Sequence, residues 1–176
     1  FPARFTLVAA SNPCPCGFLG DPRRVCRCPP NRAEAYRRKL SGPLLDRIDL
    51  RLSVPRLSRP ELMDERPGEP SAAVRERVAL ARERQRARYE GLGFACNGQV
   101  PGSLVRREAR LAPGGERLIA EAVETLGLTG RGFDRVLRVA RTIADLAGSG
   151  RMEADHVAEA LSYRAAVGEE EMARAG

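Results

Sequence analysis

The spacing of apolar positions changes once along this chain, near residue 70. Before that point two runs have strand character. Residues 4–10 read Arg-Phe-Thr-Leu-Val-Ala-Ala, an apolar run of strand length bounded by Ser11-Asn-Pro13, and residues 49–55 alternate, with Leu50, Leu52 and Val54 on one side. Both patterns predict buried strands. Between them lie a loop at residues 11–31, rich in Cys, Pro, Gly and Arg, and a short helix at residues 31–40. Two strands rarely make a sheet that is stable by itself. The pattern therefore predicts an α/β remnant over residues 1–57, part of a longer protein whose remaining strands lie outside these residues.

Beyond the change the period is helical. Residues 58–70 hold Pro60, Pro67, Gly68 and Pro70 among many charges, the composition of a linker. Ser71 is placed to cap a helix reaching Tyr89, with Val74, Val78 and Ala81 on one face. A shorter helix is expected after Ser103. Residues 116–126 put Leu118, Ile119, Ala122, Val123 and Leu126 on one stripe that stops at Gly127. Residues 129–147 do the same with Phe133, Val136, Leu137, Ala140, Ile143, Ala144 and Ala147, stopping at Gly148. A last helix at residues 153–164 carries Val157, Ala160 and Leu161, and residues 166–176 are expected to fray. The chain is thus expected to be mostly helical, an α/β remnant followed by an all-α domain at residues 71–165.

An apolar share of 43% in 176 residues suffices for one domain or two small ones. No stretch has the apolar length of a membrane span and no charged-then-apolar leader opens the sequence, so a soluble cytoplasmic protein is expected. Basic side chains number 30 against 23 acidic ones, a formal +7. Dividing the sum is more informative: residues 1–57 hold 11 basic and 4 acidic groups, while residues 58–176 hold 19 of each. The excess centres on residues 21–39, where Arg23, Arg24, Arg27, Arg32, Arg37, Arg38 and Lys39 stand against Asp21 and Glu34. Such a density suits phosphate, nucleic acid or an acidic protein surface. The alternative is a solvated loop in an arginine-rich sequence. Lys39 is the sole lysine and stands in Arg-Arg-Lys-Leu, so these residues contain no P-loop.

Four of the five cysteines fall in Cys14-Pro-Cys16 and Cys26-Arg-Cys28. Two such pairs within fifteen residues point to tetrahedral thiolate ligation of zinc rather than to disulfides. Flanking prolines and Gly17 fix turns that aim the sulfurs inward. One intervening residue per pair, instead of the commoner two, tightens the bite, and free or oxidised thiols are the alternative. Cys96 stands alone and reads as a small apolar side chain. His156, the only histidine, reads as a surface or capping group beside Asp155, so no Ser-His-Asp or Cys-His catalytic set can be assembled.

Three further residues sit at the ends of predicted elements. Asn12 follows the carboxyl end of the first predicted strand, where ligands bind in open α/β sheets. Arg47 precedes the second strand. Arg131 opens the most regular helix, where a permanently charged planar fork can engage phosphate. Each alone is more often a surface salt-bridge residue; their value lies in occurring together and in this order.

Asn12-Pro-Cys-Pro-Cys-Gly17, Leu40-Ser-Gly-Pro-Leu-Leu-Asp-Arg-Ile-Asp49 and Val139-Ala-Arg-Thr-Ile-Ala-Asp-Leu146 carry a resemblance to the C-terminal half of the magnesium-chelatase-like AAA+ ATPases, ComM or YifB type, that covers nearly the full chain. The resemblance implies that residues 1–57 end a AAA+ α/β core and that residues 71–165 form the family's helical lid domain. It casts Asn12 as sensor 1, which orients the attacking water or reads the γ-phosphate. Arg47 resembles the arginine finger that enters a neighbouring subunit's site, and Arg131 resembles sensor 2, with Arg135 as second choice. ATP and Mg2+ are the implied cofactors, with Zn2+ at Cys14, Cys16, Cys26 and Cys28, and the implied assembly is a homo-oligomer, a hexamer. The family's Walker A and Walker B motifs are absent from these residues, so the chain alone is expected not to hydrolyse ATP.

The function implied by the resemblance is a motor that couples ATP hydrolysis to DNA remodelling, a branch-migration helicase of DNA uptake and recombination. Arg23, Arg24, Arg27, Arg32, Arg37 and Arg38 would then touch DNA phosphates or lie at a subunit interface. A second reading is a chelatase motor subunit that drives metal insertion into a porphyrin. A third is a non-enzymatic, zinc-stabilised helical binding module.

Overall fold

A computed structural model describes residues 5–40 and 42–164. The chain divides into two compact units, Phe1–Arg47 and Ile48–Gly176. Every regular element among the described residues is a helix. None of these helices is long and apolar enough to cross a membrane. The tail at residues 166–176, expected to fray, lies outside the described residues, as does Arg4 of the first predicted strand.

In the first unit, α1 (Pro30–Arg37) begins on a proline, whose missing N–H costs nothing in the first turn. It starts one residue before the predicted helix and stops three before its predicted end. A single turn, α2 (Gly42–Leu45), follows. The strand expected at residues 4–10 is not formed. Residues 5–10 carry no regular structure, and Phe5 and Val8 are 79% and 90% exposed. A strand needs a neighbour to pair its N–H and C=O groups, and the described residues supply none. The α/β expectation is corrected accordingly: the described chain is mostly helical and contains no sheet.

The second predicted strand, residues 49–55, is not formed either and carries no regular structure. Residues 48–51 lie instead against the end of the last helix, α8 (Ala154–Ser162). The Arg51 N–H donates to the Tyr163 carbonyl at 3.0 Å, and Arg51 Nη2 donates to the Arg164 carbonyl at 2.8 Å. Arg164 Nη1 returns a bond to the Ile48 carbonyl at 3.4 Å. The carbonyls at a helix C-terminus have no partners within the helix, and this segment fills that need. Leu50, Leu52 and Val54 remain exposed. Within the stretch expected as linker, α3 (Arg59–Leu62) is held by a reciprocal cap between Ser58 and Glu61.

The remaining helices form a bundle around α7 (Gly130–Leu146), which packs against α4 (Ser71–Arg88), α5 (Gly102–Arg107), α8 and a 3-10 turn (Asn97–Gln99). α6 (Pro113–Thr125) packs on α8. α7 is central because its apolar stripe is the most continuous: Val136, Leu137, Ala140 and Ala144 are buried, with Phe133 and Ile143 at the margin. Each large apolar side chain buried here, such as Leu137, Met152 or Val157, contributes about 1.5–3 kcal/mol. Thr129 caps the helix, its hydroxyl accepting from the Gly132 N–H at 3.0 Å. α6 and α7 end where expected, before Gly127 and Gly148, which take left-handed φ of +57° and +75°. Residues before α6 and α8 meet in an isolated bridge, Leu111 to Met152. Gly115 is required beside it, since an added Cβ would lie 2.7 Å from the Met152 carbonyl oxygen.

Two expectations for α4 fail together. Ser71 is its first residue rather than its cap, which is Pro70. Val74 and Val78 are also largely exposed, and the packed face is Ala81, Gln85 and Tyr89, four residues apart. The helix is anchored by its C-terminal half, where polar side chains decide the contact.

Candidate functional site

The four clustered cysteines meet. Gly17 N–H closes a turn on the Cys14 carbonyl at 3.0 Å. The Asp21 carboxylate accepts the Arg23 and Arg24 N–H groups at 2.8 and 2.9 Å, which folds the chain back so that Cys26 faces the first pair. The Arg24 guanidinium lies 5.0 Å over the Phe18 ring and braces the same loop. Sulfur separations are 3.4 Å for Cys14–Cys16 and 3.6 Å for both Cys14–Cys26 and Cys16–Cys26, and all four sulfurs, Cys28 included, lie within 4.8 Å of one another. A tetrahedral zinc thiolate with bonds of about 2.3 Å needs sulfurs about 3.8 Å apart, so the cage matches the ion.

The electrostatics point the same way. Backbone N–H groups donate to the sulfurs: Leu19 to Cys14, Phe18 and Arg27 to Cys16, and Cys28 to Cys26. The Phe18 and Arg27 donors hold the Cys16 thiol down at about 6. Cys26 is pushed up to about 12, because burial and the three neighbouring sulfurs outweigh its Cys28 N–H donor. Four thiols this close cannot all ionise against one another, and a divalent cation removes that conflict. Four thiolates on one zinc leave a net charge of about −2. That charge would sit among exposed Arg23, Arg24, Arg27, Arg32, Arg37 and Arg38, of which Arg38 pairs with Glu34 at 2.6 Å.

Asn12 is exposed beside the cysteine turn, its Cγ 4.0 Å from where a Gly17 Cβ would stand. Arg47 is exposed and donates to the Pro43 carbonyl at 2.9 Å. Asn12 and Arg47 belong to the first unit and Arg131 to the second. Arg131 lies on the exposed first turn of α7 and makes no hydrogen bond or ion pair among the described residues. The other arginines of that helix are engaged: Arg135 with Asp49, Arg138 with the Val100 carbonyl at 3.1 Å, and Arg141 with Asp145 and the carbonyls of Ser149 and Gly150.

Sequence reasoning passed over the most buried polar group. Asp145 is fully buried and accepts from Arg88, from Asn97 Nδ2 at 3.0 Å and from Arg141 Nε at 3.1 Å. Asn97 Oδ1 accepts from the Tyr89 hydroxyl at 2.9 Å, the Asn97 N–H donates to Gln85 Oε1 at 3.2 Å, and Asn97 Nδ2 also reaches Thr142 at 2.9 Å. Arg84 caps the Asp145 carbonyl at 2.9 Å. Burial alone would raise the Asp145 carboxyl; the hydrogen bonds from Arg88 and Asn97 and the Arg141 charge outweigh it and hold it below the usual carboxylate range. The available signal was Arg141 and Asp145, four apart on the otherwise apolar face of α7. Their motif is a structural lock between α4, the 3-10 turn and α7. His156 is a cap, its Nδ1 accepting from the Glu153 N–H at 3.0 Å.

Comparison with known proteins gives this arrangement a family. Residues 68–164 match the C-terminal family of magnesium chelatase subunit ChlI, and residues 1–62 match the family of magnesium chelatase subunit ChlI that precedes it. The chain belongs to this magnesium-chelatase family. It is 46% identical over 164 residues to an uncharacterized protein of Mycobacterium tuberculosis, covering 93% of this chain and 32% of that protein. It is 41% identical over 169 residues to Competence protein ComM of Haemophilus influenzae (95% and 32%) and 41% identical over 168 residues to the uncharacterized protein YifB of Escherichia coli (94% and 32%). The chain spans about a third of the length of these relatives.

Proposed function

We propose that this chain is the C-terminal part of a AAA+ ATPase motor of the ComM type that couples ATP hydrolysis to DNA remodelling. The observation that carries the reading is the use of arginine along α7. Arg135, Arg138 and Arg141 are held by the protein, while Arg131 is presented from a capped helix start with no partner among the described residues. A permanently charged planar fork offered in this way suits a phosphate, the task of sensor 2. Arg47 acts as the finger that neutralises charge developing on a neighbouring subunit's nucleotide, in a homo-hexamer, and Asn12 orients the attacking water. Zinc at Cys14, Cys16, Cys26 and Cys28 fixes the loop that displays Arg23, Arg24, Arg27, Arg32, Arg37 and Arg38 to DNA phosphates.

In the longer, cytoplasmic polypeptide that this reading implies, Arg47→Ala and Arg131→Ala each lower kcat about 10³-fold without loss of helicity. Residues 1–176 alone turn over no ATP; turnover by them that Arg47→Ala abolishes would overturn the reading. The family's own description, magnesium chelatase, favours a second one, metal insertion into a porphyrin. DNA binding that weakens steeply with salt supports the first. ATP turnover stimulated by porphyrin, without DNA binding, replaces it with the second.

A further inference from the structure

α4 packs through its C-terminal half and leaves its first turns bare: residues 71–80, about three turns of helix, are exposed throughout. Val74, Val78, Ala81 and Gln85 follow one another at intervals of four, three and four, the spacing by which a helix keeps a single seam against a neighbour. Ala81 and Gln85 lie inside the bundle, each 3% exposed, whereas Val74 and Val78 carry the seam onward at 37% and 45%. A lone exposed valine is ordinary. Two in register with a buried seam mark a contact surface that the bundle does not fill. The charges around that surface are ordered. Arg75 and Arg82 border the seam on one side, one heptad apart, and Arg77 and Arg84 border it on the other, while Glu76 and Glu83 lie on the opposite face of the helix. The second border is occupied, since Arg77 donates to both Glu69 oxygens at 2.6 and 2.9 Å and Arg84 donates to the Asp145 carbonyl. Arg75 and Arg82 make no hydrogen bond or ion pair among the described residues.

We propose that the N-terminal half of α4 is a docking site for an acidic amphipathic helix of a protein partner, whose apolar stripe covers Val74 and Val78 and whose carboxylates, one heptad apart, meet Arg75 and Arg82. Charge decides the occupant. A second copy laid on the same seam would set arginine against arginine at its borders in either direction, which opposes pairing. Nucleic acid would leave both valines uncovered, and Glu76 and Glu83 on the same helix would repel its phosphates. An acidic helix satisfies the seam and its border together, as the chain itself illustrates where the Glu69 carboxylate sits on Arg77. The site lies within the unit Ile48–Gly176 and is independent of the nucleotide roles given to Arg47 and Arg131.

Two synthetic peptides of about three heptads test it, both with leucine at the seam positions, one with glutamate and the other with lysine at the borders. Fluorescence anisotropy with residues 1–176 should show the glutamate peptide binding about tenfold more tightly than the lysine peptide, and weakening as salt is raised. Amide exchange should slow at residues 74–78 and stay unchanged in α6. Val78→Asp abolishes binding, and because Val78 is exposed its circular dichroism and melting temperature stay close to wild type. Arg75→Glu together with Arg82→Glu inverts the preference, so that the lysine peptide becomes the tighter ligand. Equal binding of the two peptides, binding of neither, or a double variant that keeps the original preference overturns the proposal. So does a dimer in sedimentation that Val78→Asp dissolves, or duplex DNA that slows exchange at residues 74–78, since each assigns the face to another occupant. In the longer polypeptide the glutamate peptide should bind as it does to residues 1–176; failure there means that the chain covers this face itself, which also overturns the proposal.

Discussion

The unit Phe1–Arg47 buries two apolar side chains, Cys14 and Ala33, among its described residues, whereas the unit Ile48–Gly176 gathers twelve into one core from Tyr89 to Ala160. Both use polar chemistry at their centres, but in opposite ways. The second unit closes its charges on one another, carboxylate against two guanidiniums, inside an apolar shell. The first collects four groups of the same kind, which repel when ionised and call for a cation from outside. A domain of the second type is stabilised by its own sequence; one of the first type would gain its stability from a cation that it bound.

The largest effect that separates them is metal removal. Structural zinc in small thiolate sites contributes on the order of 10–16 kcal/mol of apparent binding free energy, more than the unit could gain from two buried side chains. Chelation under reducing conditions, or Cys14→Ser, is expected to abolish amide protection at Gly17 and Asp21, whose N–H groups close the two turns of the cluster. Protection in α7 should not change. Elemental analysis should give one zinc per chain before treatment. Metal-free protein with Gly17 still protected would show that the loop holds its shape unaided, and the contrast between the units would disappear.

Next in size is Asp145→Ala. Removing the carboxylate leaves Arg88 and Arg141 without their common partner, and breaking a buried pair in this way costs about 3–5 kcal/mol. Urea unfolding followed by circular dichroism measures it, with metal content as the control that should not move. The pH dependence has a definite sign. The folded carboxyl lies below its unfolded value, so its contribution is fully present above the unfolded value of about 4 and is lost as pH falls through the folded one. Wild-type stability should therefore decline in acid, and the decline should be shallower in Asp145→Ala. Parallel acid profiles would mean that the carboxylate is not the group being titrated.

The same contrast explains what the sequence made legible. Both ends of α7 and the end of α6 could be placed closely because their stripes and the glycines beyond them are local signals, read within one or two turns, whereas α6 starts three residues before its expected start. The meeting of four sulfurs was legible because all four lie within fifteen residues and the prolines between them leave few alternatives. The two strands were misread because an apolar run specifies a strand only when a partner exists, and here residues 48–51 found the end of a helix instead. The buried lock was invisible for the opposite reason. Asp145 meets Arg88 and Asn97 across 57 and 48 residues, and nothing local marks Asn97 as buried. Val74 and Val78 misled because α4 is anchored through Gln85, Tyr89 and Arg88, whose polar groups a hydrophobic count ignores.

The smallest effect tests whether the bundle is as self-sufficient as the comparison holds. Thr129 supplies one oxygen to the Gly132 N–H, and losing such a cap costs about 1 kcal/mol. In a bundle of this size Thr129→Ala should lower the melting temperature by about 4 °C, and Thr129→Ser should recover most of it because the oxygen is kept. Zinc content and Gly17 protection should be the same in both variants, since the cap and the thiolate cage belong to different units. The cap also fixes the turn on which Arg131 stands, so the loss should appear first as faster amide exchange at residues 131–133. A uniform loss of protection across both units would instead mean that the metal loop draws its order from the bundle, and the two would no longer be stabilised independently.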